Sequence, residues 1–182
     1  MNALARHASE IKEVRMPLQK DLVSVAIAAY NQPHYLRRAL QSIVEQDYRP
    51  IEVIVSDDCS PVVLKPVADE FAGYQNDLFQ IRYYRSEQNR GAIDNFRYAV
   101  GQAMGHFLVP MPHDNRFVHR AFFAEAVHVM RSHADCHICY ANASYEGRER
   151  KALRIPETIC FRDGWTTVEG GSFIRLYRRG GM

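Results

Sequence analysis

Leu22 to Ala29 is apolar at every position but Ser24, and no other feature of the sequence narrows the fold as much. A strand with one face in water alternates apolar and polar residues, whereas an unbroken run belongs to a strand covered on both sides. Asn31, Gln32 and Pro33 end the run, and Pro33 suits the first turn of a helix. Leu36, Leu40, Ile43 and Val44 then recur at the spacing of one helix face. The pattern repeats along the chain. Ile51–Ser56 reads as a second buried strand, Val63–Tyr74 as a helix and Phe79–Tyr84 as a third strand. Ile93, Phe96, Val100 and Met104 mark another helix, followed by a fourth strand at His106–Met111. Phe122, Ala126 and Met130 face one side of a helix that leads to a fifth strand, Cys136–Tyr145. Strands alternating with helices imply a three-layer α/β/α fold around a mainly parallel sheet with right-handed crossovers. Past Tyr145 the pattern weakens: Glu146–Arg154 reads as a solvated loop or hairpin, and Gly170–Arg179 as helical.

With 182 residues the chain can build one domain with a sizeable core. Residues 1–20 read as an N-terminal extension, 21–145 as the core, and 146–182 as the incomplete start of a further region. The formal net charge of +2 is far from the dense basic surface of a nucleic-acid binder, so no such partner is expected. No apolar run approaches the roughly 20 residues of a membrane span. Met1–Lys20 lacks the apolar centre of a secretory signal, and a cytoplasmic chain is expected. Of the four cysteines, Cys136 and Cys139 form a C-x-x-C, with His133 and His137 nearby. There is no second such pair at zinc-finger spacing, and residues three apart in a strand are expected on opposite faces. The two read as structural thiols.

In an open parallel sheet, ligands collect beyond the carboxyl ends of the strands, where strand order reverses. The polar residues sit where that rule wants them. Tyr30 and Asn31 follow the first strand, Asp57 and Asp58 the second, and His113, Asp114 and Asn115 the fourth. Asn89, Arg90 and Gly91 precede a helix, whose unpaired N–H groups favour an anion. Singly, each segment also reads as a cap or turn; together they point to a site. A nucleotide diphosphate needs a platform for its base, a carboxylate for its hydroxyl or N–H groups, and a carboxylate holding a hard divalent cation on its phosphates. Tyr30, Asp57 and Asp114 are the candidates, in that order. G-x-x-x-x-G-K-[ST], G-x-G-x-x-G and G-x-S-x-G are absent, which weighs against a P-loop hydrolase, a dinucleotide-dependent dehydrogenase and a serine hydrolase.

These segments resemble family 2 glycosyltransferases. Val23-Ser24-Val25-Ala26-Ile27-Ala28-Ala29-Tyr30-Asn31 is similar to the family's opening strand and loop, and Leu36, Ala39, Leu40, Ser42, Ile43 and Gln46 continue the likeness. Ile51 to Ser60 resembles the second strand with its Asp-Asp-x-Ser ending. Asn89-Arg90-Gly91, with Asn95 and Gly105 downstream, is similar to the Asn-x-Gly segment, and His113-Asp114-Asn115 falls at the metal-binding acidic motif. The resemblance covers about Leu22 to Tyr145. It implies a GT-A fold, a nucleotide-sugar donor with a UDP-sugar favoured, and Mn²⁺ or Mg²⁺. It further implies that Ala29, Tyr30, Asn31, Asp57 and Asp58 contact the nucleoside, with Asn89, Arg90 and Gly91 beside the base or ribose. Asp114 would ligate the metal, with His113 and Asn115 as further ligands.

The sequence departs from the family at two points. Asp114 stands between His113 and Asn115 where the motif usually offers two acids, so the cation would be held with less charge. Inverting members carry a general-base Asp or Glu after the fifth strand. Here Glu146, Glu149, Glu157, Asp163 and Glu169 follow, none in an assignable motif, and the base is expected beyond Met182 in a truncated chain. The expectation is therefore a metal-assisted, inverting sugar transfer to a saccharide or lipid-linked acceptor hydroxyl, at the inner face of a membrane or in the cytoplasm. Two alternatives stay open: a silent nucleotide-sugar-binding module, and a sugar nucleotidyltransferase, although Ala29–Pro33 lacks the Gly-rich basic loop of the latter.

Overall fold

The computed structural model describes residues 18–134 and 136–140, and the backbone of 175–178. In chain order the elements are β1 (Gln19–Ala29), α1 (Pro33–Val44), β2 (Ile51–Asp57), α2 (Lys65–Asp69), a 3₁₀ turn (Ala72–Tyr74) and β3 (Phe79–Arg85). α3 (Ala92–Gly101), β4 (Gly105–Pro112), α4 (Phe122–Ser132), β5 (Ile138–Tyr140) and β6 (Arg175–Arg178) follow. The sheet order is β3-β2-β1-β4-β6-β5. β1 runs parallel to β2 and to β4, and β2 runs parallel to β3. β6 is antiparallel to both β4 and β5.

Alternation along the central strands divides the core into two layers. Val23, Val25, Ile27 and Ala29 of β1 and Ile51, Val53 and Val55 of β2 join Leu36, Leu40 and Ile43 of α1 in the larger cluster. Phe107, Phe123 and Met130 belong to it as well. Each fully buried Leu or Ile there contributes about 2 kcal/mol, which fixes α1 to the sheet. On the other face Ala26, Ile54 and Leu108 pack against Ala99 and Ala103 at the end of α3. The α1 stripe read from the sequence is the stripe that is buried.

The same second face holds a buried charge. Glu52 accepts hydrogen bonds from Ser24 Oγ (2.5 Å) and from the Met104 N–H (2.6 Å), and pairs with Arg82. Arg82 in turn donates to the Gln102 carbonyl at 2.7 Å. A carboxylate this buried is tolerable because its lone pairs are met. That explains why a strand covered on both faces can carry a glutamate.

The structure departs from the sequence expectation at three places. Part of the stretch read as helical, Arg175–Arg178, is a strand, because pairing with the open edge of β4 satisfies its backbone in a ladder. The helix expected over Val63–Tyr74 is split into α2 and a 3₁₀ turn. Cys136 precedes β5 rather than lying within it, so the two thiols are not held on opposite faces of one strand. The expected residues of that strand beyond Tyr140, and the acids from Glu146 onward, lie outside the described residues.

Candidate functional site

Strand order reverses between β1 and β4: the chain passes from β1 to β2 and β3 on one side and returns to β4 on the other. The crevice at such a reversal is open at the carboxyl ends, because the flanking loops leave in opposite directions. Register places the candidate residues there. Ala29 lies beside Asp57, Asp57 beside Arg85, and Ala28 beside Pro112, the residue before His113.

Hydrogen bonds tie these loops to the end of β1. The Ala28 carbonyl accepts the His113 N–H at 3.3 Å, and the Ala29 carbonyl accepts the Asp58 N–H at 2.9 Å. Buried Asn95 of α3 donates to the Ala29 carbonyl (3.3 Å) and the Ser56 carbonyl (3.0 Å), and accepts from Ser56 Oγ at 2.5 Å. The Asn31 N–H reaches Ser60 Oγ at 2.8 Å. Asn31 and Gln32 both take left-handed backbone angles, as does Cys59 in the loop after β2. Three such residues at one edge store strain that surrounding bonds must hold. The helix cap is Gln32, not Asn31, and it caps with no side-chain bond.

Asp57 is fully buried and its acceptor sites are filled. Oδ1 takes the Ser60 N–H at 2.9 Å and the Ser60 hydroxyl, while Oδ2 takes Arg85 Nη1 at 2.7 Å and the Tyr83 phenol. A carboxylate offers about four lone-pair directions, and here all are used. Burial alone would raise its pKa; the bonds from Ser60, Tyr83 and Arg85 outweigh it and hold the carboxyl below its ordinary value. Burial, then Asp57 itself, pushes the Tyr83 phenol well up, so it stays a donor. Asp57 thus braces the loop that carries Ser60 and, through it, Asn31.

Asp58 does a different job. Its two oxygens accept the Arg90 N–H at 2.7 Å and the Gly91 N–H at 2.9 Å. The anion at the start of α3 is therefore the chain's own carboxylate. Asn89 Oδ1 also accepts from the Gly91 N–H, at 3.0 Å. Gly91 has φ 83° and ψ 159°, a region open to glycine almost alone. The Arg90 guanidinium lies over the Tyr98 ring, 4.6 Å from its centroid.

Tyr30 is 45% exposed at the mouth of the crevice. Beyond the end of β4, Asp114 is exposed and Asn115 half-buried. His113 Nε2 lies 3.3 Å from Gln32 Oε1. Burial holds the His113 imidazole below its ordinary value, against the pull of Asp114 and of the Ala28 carbonyl. A neutral ring can serve as a ligand. Among the described residues no three of His, Cys, Asp and Glu gather as a metal cage. Asp114, His113 and Asn115 carry oxygen and nitrogen donors of the kinds that divalent cations take. Sequence reasoning missed Tyr83, Arg85 and the bridging role of Asn95. The signal for Arg85 was a charged residue at the carboxyl end of a half-buried strand.

The mainly parallel α/β sheet, with its polar loops gathered at the strand-order reversal, is shared with solved structures of the GT-A fold. The chain belongs to the family described as Glycosyl transferase family 2, whose model matches residues 24–179. It is 30% identical over 97 residues to GalNAc(5)-diNAcBac-PP-undecaprenol beta-1,3-glucosyltransferase of Campylobacter jejuni, covering 53% of this chain and 30% of that protein. A Mycobacterium tuberculosis protein, Rv1520, is 27% identical over 119 residues, 65% of this chain and 34% of its own. The chain thus spans about a third of the length of these curated relatives. Among solved structures, Staphylococcus aureus TarS residues 1–349, also solved with UDP, has a TM-score of 0.61 at 20% identity, covering 86% of this chain and 46% of that one. The mannosyltransferase PcManGT of Pyrobaculum calidifontis, in complex with GDP-Man and Mn²⁺, has a TM-score of 0.57 at 21% identity, covering 79% and 41%. No helix among the described residues is long and apolar enough to cross a membrane.

Proposed function

We propose that this chain supplies the donor-binding part of a glycosyltransferase that moves a sugar from a nucleotide diphosphate to an acceptor hydroxyl. The observation that carries this reading is the joining of the loops after β2 and β4, and of α3, to the end of β1 and the loop that follows it, through Ala28, Ala29, Asn31 and Asn95. Tyr30 gives the base a face to stack on, and Ala29 and Asn31 line the nucleoside. Asp58 holds Arg90 and Gly91 in place beside it, while Asp57 acts through Ser60 rather than by touching the base. Asp114 would hold Mn²⁺ or Mg²⁺, with His113 and Asn115 as further ligands, and the ion would neutralise the departing diphosphate. The transfer is proposed to invert, with the general base among residues outside those described. A UDP-sugar donor is favoured by the TarS complexes with UDP and UDP-GlcNAc. A lipid-linked acceptor, and with it peripheral attachment at the inner membrane face, is favoured by the undecaprenol-linked substrate named for the Campylobacter relative.

Isothermal titration with UDP tests the proposal. Binding should be tighter with Mn²⁺ than with EDTA, and Asp114→Ala should remove that difference while the fold persists. Equal, negligible binding in both conditions overturns it. The lone carboxylate at His113–Asn115 favours a second reading, a nucleotide-sugar-binding module without turnover. A donor-hydrolysis assay separates the two, since a silent module binds UDP-sugar and leaves it intact.

A further inference from the structure

Away from the donor edge, the turn between α4 and β5 brings two thiols together. Cys136 Sγ and Cys139 Sγ are 3.9 Å apart, and both side chains are half-buried against the larger core cluster. The Cys136 N–H donates to the His133 carbonyl at 3.0 Å, which closes the turn. The thiols make long, weak contacts with backbone carbonyls: Cys136 to Ile138 at 3.7 Å and Cys139 to Ala126 at 3.8 Å. A bonded pair of sulfurs is about 2.05 Å apart, so closure asks for about 2 Å of approach. Small side-chain rotations and settling of the turn can supply that. A structural zinc wants four ligands, and among the described residues no third His, Cys, Asp or Glu joins the pair as a metal site.

We propose that Cys136 and Cys139 are a redox-active dithiol that closes to an intrachain disulfide, with a small-molecule disulfide as oxidant. One cysteine, as thiolate, attacks a sulfur of the small disulfide and expels one thiolate, forming a mixed disulfide. The second cysteine loses its proton, attacks the protein sulfur and expels the other half. The two protein thiols thus lose two electrons and two protons, and the small disulfide becomes two thiols. The crosslink stiffens the junction of α4 with β5, which reaches β4 through β6.

The test uses the full chain, unmutated, treated with glutathione disulfide, alkylated and peptide-mapped. Two of the four cysteines should become unreactive together. The recovered link should join Cys136 to Cys139, and dithiothreitol should restore both thiols. Cys139→Ser should instead hold glutathione on Cys136, as a trapped mixed disulfide. Four thiols still open to alkylation, or a link that uses Cys59 or Cys160, overturns the proposal. The map is read on the native sequence, so the folding of a variant does not decide the outcome.

Discussion

Replacing Asp57 with asparagine keeps the side chain's shape and removes its charge. All four groups around it donate: the Ser60 N–H and hydroxyl at Oδ1, and Tyr83 and Arg85 at Oδ2. The new amide NH₂ must therefore face a donor. Turned toward Ser60 it meets a backbone N–H that cannot accept; turned toward Tyr83 it can donate to the phenol oxygen while Arg85 swings out. The second arrangement costs less. It still trades charge-assisted bonds of about 1.5–3 kcal/mol for neutral ones of about 1 kcal/mol at Ser60 and Tyr83. The Arg85 side chain is 35% exposed, so water replaces much of what it loses and it is left out of the sum. Over these three bonds the total is at least about 2 kcal/mol. With a urea slope of about 2 kcal/mol per molar, the unfolding midpoint of Asp57→Asn should fall by about 1 M.

The pH dependence carries the same sign. The folded Asp57 carboxyl lies below its ordinary 3.8. Its stabilisation is therefore complete above the unfolded value and is lost as pH falls through the folded one. The wild-type chain should weaken below about pH 4, and Asp57→Asn should lack that part of the acid loss. A midpoint shift under about 0.2 M at neutral pH, with an unchanged slope, would refute the reasoning, since it would mean that the bonds from Ser60 and Tyr83 gain almost nothing from the charge.

Ser60→Ala leaves the part-buried Asn31 N–H contact unmade and should cost about 1–3 kcal/mol in thermal unfolding, with weaker UDP binding in the same preparation. Gly91→Ala has open space for its Cβ but a backbone angle that alanine resists, so a loss of about 1–3 kcal/mol is expected from denaturant curves. Gly105→Ala is sterically worse: its Cβ would press on the Leu22 carbonyl and lie 2.6 Å from Ser24 Oγ, and about 3 kcal/mol or more should be lost. Asp114→Ala, at an exposed position, should leave the stability within about 0.5 kcal/mol of wild type while removing Mn²⁺-dependent UDP binding.

The sequence alone determined the layers and the edge. Uninterrupted apolar runs need cover on both faces, and the helix-period stripe at Leu36, Leu40 and Ile43 needs a sheet to lie on, so β1 to β4 and α1 were legible from local pattern. The polar residues following those strands were legible too, because binding groups gather beyond the carboxyl ends of parallel strands, although Asp57 and Asp58 are themselves buried. Only the tertiary structure decided which carboxylate does what. Asp57 and Asp58 are adjacent in sequence, but the first meets β3 and the Ser60 turn and the second meets the start of α3. The strand Arg175–Arg178 was illegible for the same reason: its conformation comes from ladders with β4 and β5, partners far away in the chain. Local propensity cannot encode a hydrogen-bonding partner that only the folded sheet supplies.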